Sequence, residues 1–181
     1  MTGALSPGDP AAESWAFALK IYAQPGIAEA CLRLQAEAGV DVMMLLTAAF
    51  AAARCGIVLS PSDIADMDDT CRPWREQIVR PLRALRVALK AGPQPAPGPV
   101  TEPLRAQIKA SELAAERLQN DLLAAWLQQK APAARAVTPD ELSAVLRSVV
   151  ALALQGRGGS DIRNLLPAID LVAAAAQHRV G

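Results

Sequence analysis

Apolar residues recur along this chain at intervals of three and four, the spacing that keeps side chains on one face of a helix turning 100° per residue. Trp15, Leu19 and Tyr22 open the pattern, Pro25 and Gly26 interrupt it, and Ile27, Cys31 and Leu34 resume it as far as Gly39. A helical hairpin is predicted there. Asp41 then stands where its carboxylate would accept a backbone N–H near Met43 or Met44, capping a third helix over Val42 to Cys55 in which only Thr47 and Arg54 are polar. Ala48, Ala49, Ala51, Ala52 and Ala53 let neighbouring backbones approach closely, so this helix is expected at the centre.

Gly56 ends that helix, and Ile57, Val58 and Leu59 read as a buried connector rather than a strand. Ser60, Pro61 and Asp63 supply a cap, a first-turn proline and a capping-box acid for a short helix through Met67. Trp74, Ile78, Leu82, Leu85 and Leu89 keep to one narrow face of a long helix, with a bend or restart expected at Pro81. The text from Ala91 to Pro103 cannot propagate a helix and reads as a linker. Leu104, Ile108, Ala115, Leu118, Leu122 and Trp126 share the next helical face. Arg105, Lys109, Glu112, Glu116 and Gln119 lie near the opposite one, turned to water or a partner. Thr138, Pro139 and Glu141 start a helix through Leu154; Gly156, Gly158 and Gly159 stop it, and Asp161 to His178 supplies a last segment delayed by Pro167.

These elements predict an all-α fold, a compact multi-helix bundle with a Pro-rich internal linker. Its expected divisions are a flexible N-terminal segment over 1–12, an N-terminal helical half over 13–90, the linker over 91–103, and a C-terminal helical half over 104–181 that packs on the first. The expected core is Trp15, Leu19, Met44, Leu45, Trp74, Ile78, Leu82, Leu85, Leu118, Leu122 and Trp126.

Composition narrows the function classes. Hydrophobic residues make up 52% of the 181 positions, which excludes a largely disordered chain. Lys plus Arg and Asp plus Glu both number 18, so the overall charge makes no case for nucleic acid or an anionic membrane. The charge-free stretch from Val42 to Ala53 falls short of the roughly 20 residues needed to cross a bilayer. Cys31, Cys55 and Cys71 form no CxxC pair and no secretory leader is read, so a cytoplasmic setting is expected.

Candidate chemistry is sparse. The GRGGS run from Gly156 to Ser160 lacks the lysine of a phosphate-binding loop and reads as a helix stop. Glu112 and Glu116 share a helix face, but no Glu-x-x-His motif accompanies them, so they read as solvated charges. Asp63, Asp66, Asp68 and Asp69 lack the pattern of a calcium loop and read as partners for Arg72, Arg75 and Arg80 or for water. His178 is the sole imidazole available to a thiol. No catalytic residue, metal ligand or cofactor is assigned.

The basic segment carries more. Arg72, Arg75, Arg80, Arg83, Arg86 and Lys90 stand against Glu76 alone. All of these cations but Arg80 fall within about an 80° sector if the helical phase persists through Pro81. Such a stripe beside the apolar face predicts a non-enzymatic interaction or regulatory module docking an acidic protein surface. Two alternatives stand beside it. One is a helical nucleic-acid binder, from the Pro61–Met67 helix preceding the basic one. The other is an enzyme or carrier for a small apolar ligand, which a deep cavity with convergent polar groups between the alanine-rich helices would signal. The oligomeric state leaves no mark in the sequence.

Two blocks in order, WAFALKIYAQPGIAEACLRLQAEAGVDVMMLL and WREQIVRPLRALRVALK, carry a family resemblance. Their most specific elements are Tyr22, Pro25 and Gly26 before Ala30, Cys31 and Leu32, then Gly39 and Asp41, and later Trp74 with Arg80, Pro81 and Leu82. Over roughly Trp15 to Trp126 the chain resembles the uncharacterised bacterial family DUF2390. Relatives usually carry asparagine where this chain has Met43, and often a tryptophan near Phe50. The resemblance implies an all-helical cytoplasmic protein and assigns no reaction, cofactor or partner.

Overall fold

The N-terminal caps predicted at Asp41, Ser60 and Thr138 all form, and each sets where a helix begins. The computed structural model describes residues 8–94, 97–155 and 161–178. Among them Asp9 caps α1 (Pro10–Tyr22), which therefore starts ahead of the boundary expected at Ala12. After the Pro25–Gly26 turn comes α2 (Ile27–Ala38), closed by Gly39 at φ 71°, a left-handed conformation glycine adopts without a side-chain penalty. Asp41 follows at once, its Oδ1 accepting from Met43 N at 2.9 Å and Met44 N at 3.2 Å to start α3 (Val42–Ala53). Ser60 and Asp63 exchange the two bonds of a capping box at α4 (Pro61–Trp74), and Thr138 and Glu141 do the same at α7 (Pro139–Gln155).

The fold is all-α, and α3 is its axis. From Met43 through Ala52 every α3 residue is buried, against α1 and α6 on one side and α7 and α8 (Leu166–Gln177) on the other. Leu45, Leu146, Val150, Ile169 and Val172 fill the space between α3, α7 and α8, and α2 packs along α8. Pro167 sits in the first turn of α8 behind a 3₁₀ turn at Ile162–Leu165, so it delays the helix rather than kinking it. Ile57 and Leu59 are buried as the expected connector. The helix stop expected at Gly156–Ser160 and the segment before Gly8 lie outside the described residues.

Two expectations fail, for one reason. The helix from Pro61 does not stop near Met67: it runs on through a π turn at Arg75–Val79 into α5 (Arg80–Ala91) without a break. Pro81 has no N–H and its ring would collide with the carbonyl four residues back. The wider turn ahead of it, in which Arg80 N donates to Arg75 O five residues back, absorbs that conflict. Four-residue steps overshoot a regular α-helix by about 40° each. The widened turn cancels the drift, so Cys71, Arg75 and Val79 stay in line on the inner face. The predicted stripe assumed a regular phase and is rotated outward instead: Ile78 and Leu85 are exposed, Leu82 is only half-buried, and α5 buries no residue fully.

The same reversal holds on α6 (Glu102–Leu127). Leu118 and Leu122, expected in the core, are exposed, while Glu112 and Gln119 from the face expected in water are buried, as is Asn120. Trp126 is buried as expected; Trp15 and Trp74 are half-buried, and Leu19 is exposed. The α5 and α6 helices thus meet by their charged faces and leave leucines outside.

Candidate functional site

Where those charged faces meet, α1, the start of α3, the π turn, α5 and α6 surround a cleft of about 740 Å³. Its walls are mostly apolar: Trp15 and Leu19 from α1, Leu32 from α2, Val42, Met43 and Leu46 around the start of α3, and Leu113 from α6. Leu19, Leu32 and Leu113 are about half-exposed, which puts them at the mouth.

The polar side of the cleft is a set of ion pairs. Arg83 Nε donates to Glu112 Oε1 at 2.8 Å and its Nη2 to Glu116 Oε1 at 2.6 Å. Arg86 donates from Nε and Nη2 to the two oxygens of Glu112, a two-point grip that fixes both side chains. Burial alone would raise the Glu112 carboxyl, but the bonds from Arg86 and Arg83 outweigh it and hold it below its ordinary value. Glu116, four residues on, has Arg83 alone; burial and its Glu112 neighbour raise it. Burial likewise raises Tyr22, whose hydroxyl stays protonated beside Arg83, Arg86 and Glu116.

Asp41 does double duty. Its Oδ1 caps α3, and its Oδ2 accepts from Gln119 Nε2 at 2.5 Å and Arg75 Nη1 at 3.2 Å. Arg75 also donates to Asp68 at 2.7 Å and to Glu76 at 3.2 Å. Burial works against its charge, yet Asp41 and Asp68 keep the guanidinium more firmly protonated than usual. One helix cap therefore ties α3, the π turn and α6 together at the base of the cleft. Asp41, Arg75 and Arg80 also line a second pocket of about 330 Å³ with Asp68, Arg72 and Val149.

The six cations of the basic segment do not form one outward face. Arg75 is buried, and Arg83 and Arg86 are half-buried and turned to α6. Arg72 is exposed but pairs with Asp68 and Asp69, and Arg80 pairs with Glu76 at 2.7 Å. Lys90 is exposed and makes no ion pair among the described residues. The acids of α6, expected in solvent, draw the middle of the stripe inward. Of the acidic group, Asp63 pairs with Lys130 at 2.8 Å and Asp66 accepts from the Trp126 indole at 2.8 Å. Burial pushes the Cys31 and Cys71 thiols up to about 11 and about 12, so neither is poised as a nucleophile at neutral pH.

Sequence reasoning found Asp41 as a cap and Tyr22 as part of the first apolar stripe and gave neither a place in a site. The one signal that would have joined them is complementarity: Arg83 and Arg86 on one helix, Glu112 and Glu116 on the next, at matching three- and four-residue spacings.

No curated protein and no solved structure matches this chain. A family model described as a protein of unknown function, DUF2390, matches residues 13–123, from α1 through most of α6, so the match spans every cleft residue named above and the chain belongs to that family.

Proposed function

We propose that the protein binds a small, largely apolar molecule in the α1–α3–α5–α6 cleft, as a carrier or as the binding step of an enzyme. The observation that carries this reading is a mostly apolar cleft of about 740 Å³ with a small, mutually fixed polar network at its base. Ligand pockets commonly have about 300 to 1,000 Å³, apolar walls and a few convergent polar groups. The network is held by charge-assisted bonds, so its geometry exists before a ligand arrives and binding pays little for ordering it.

Docking of an acidic protein or of nucleic acid on the basic segment has less support. Only Arg72, Arg80 and Lys90 face outward, and the first two are already neutralised by neighbouring acids. An electrostatic surface of one unpaired lysine is a weak basis for either partner.

The test is displacement of the neutral dye Nile red by straight-chain alcohols. Dissociation constants should fall about fourfold per added methylene if the chain enters an apolar cleft. Ala110→Trp, at an exposed helical position that lines the cleft, should fill it and remove binding without disturbing the core. Absence of dye binding to the native chain, or equal binding to Ala110→Trp, refutes the reading.

A further inference from the structure

The hydrogen-bonding capacity left over at the base of the cleft is lopsided. Arg83 and Arg86 each spend Nε and Nη2 on the α6 acids, and Nη1 of each makes no hydrogen bond among the described residues. The Tyr22 hydroxyl and the Lys109 ammonium, both lining the cleft, make none either. Neither Nη1 is among the sealed, unpartnered atoms, so both keep solvent access, and Tyr22 and Lys109 are exposed residues. On the acceptor side both oxygens of Glu112 are taken, and the second oxygen of Glu116 and the side-chain carbonyls of Gln35 and Gln119 accept no hydrogen bond among the described residues. The charged side chains of the lining therefore keep at least three uncommitted donor groups, on Arg83, Arg86 and Lys109, against one uncommitted carboxylate oxygen.

The charge tally points the same way. Arg75, Arg80, Arg83, Arg86 and Lys109 line the cleft against Asp41, Glu112 and Glu116. Arg80 is neutralised by Glu76 and Arg75 by Asp41 and Asp68, while Arg83 and Arg86 balance Glu112 and Glu116. Lys109 is left as the one cation of the cleft without an acid partner among the described residues. One unpaired cation, Lys109, together with the uncommitted N–H and O–H donors, suits a single negative charge on an acceptor-rich group. A dianion would bring a second charge for which no unpaired cation lines the cleft, an ammonium would oppose Lys109, and a neutral hydroxyl would leave most of the donors unmatched.

We infer that the ligand is an amphiphilic monocarboxylate: its alkyl chain lies along the Trp15, Leu19, Leu46 and Leu113 walls, and its carboxylate is received by Arg83 Nη1, Arg86 Nη1, Tyr22 and Lys109. This rests on the ligand-binding reading above. It separates the two jobs of the basic helix. The Nε edges of Arg83 and Arg86 hold α5 to α6, and their Nη1 groups read the ligand.

The experiment is competition against Nile red with decanoate, decanol, decylamine and decyl phosphate, on the full chain at neutral pH and low salt. Decanoate should bind at least about tenfold more tightly than decanol, with decylamine the weakest. Tyr22→Phe and Lys109→Gln leave every ion pair of the base intact, and thermal unfolding should confirm that both fold. Each should weaken decanoate about threefold to tenfold while leaving decanol unchanged. Decanol, decylamine or decyl phosphate matching decanoate overturns the head-group assignment and leaves the cleft reading standing, as does an unchanged decanoate affinity in both variants. Failure of the dye and of the whole alkyl series overturns both.

Discussion

The two sides of α3 are built on different physics. Toward α7 and α8, leucine, valine, isoleucine and alanine close-pack with almost no solvent left. Toward α5, helices meet through arginine and glutamate, Trp74 reaches the Ala115 carbonyl at 2.9 Å, and α5 itself buries no residue fully. Apolar burial is non-directional and grows with area, so the first side tolerates no gap but needs no particular partner. Ion pairs are directional and their net worth is reduced by desolvation, so the second side is held in register more than it is held tightly. A cleft that must admit a molecule is better placed beside the second.

Substitutions should expose this contrast in order of size. Arg75→Ala, which removes the cation paired with the nearly buried Asp41 and leaves Asp68 with Arg72 alone, should cost about 3 to 5 kcal/mol in denaturant unfolding. Leu146→Ala, on the close-packed side, should cost about 2 to 5 kcal/mol, whereas Leu85→Ala on α5 should cost under about 0.5 kcal/mol. Equal costs for the two leucines would erase the difference between the sides.

Much of this architecture was legible because it is local. Asp41, the Ser60–Asp63 box, the Thr138–Glu141 box and Gly39 act within a few residues of themselves, so chain order alone specifies them. The α3 axis was legible because its alanine and leucine content leaves only one role. The α5–α6 contact was not, since apolar periodicity says which face is greasy and not which face is inside. Ile78, Leu85, Leu118 and Leu122 carry a correct helical pattern on the outside, and the π turn at Arg75–Val79 shifts the phase in a way no residue type announces. The site escaped for the same reason: its charges come from the cap of α3, the π turn, α5 and α6, and only folding brings them together.

Acid should also act away from both sides. The bonds from Lys130 and Ser60 hold Asp63 down to about 2, below the ordinary 3.8, so its contribution is complete above about pH 4 and is lost as pH falls toward 2. Because Asp63 is partly solvated, the loss should be under about 1 kcal/mol, and Asp63→Asn should remove it from the pH profile. A profile identical in the two proteins would show that the Lys130 pair contributes nothing.

The inward turn of the basic helix is tested most directly by a double-mutant cycle on Arg83→Gln and Glu112→Gln, 2.8 Å apart across α5 and α6. Side chains in one ion-pair network should couple by about 0.5 to 3 kcal/mol in unfolding free energy. Additivity within about 0.3 kcal/mol would mean that Arg83 faces solvent, that α5 presents its cations outward, and that the cleft has no fixed polar base.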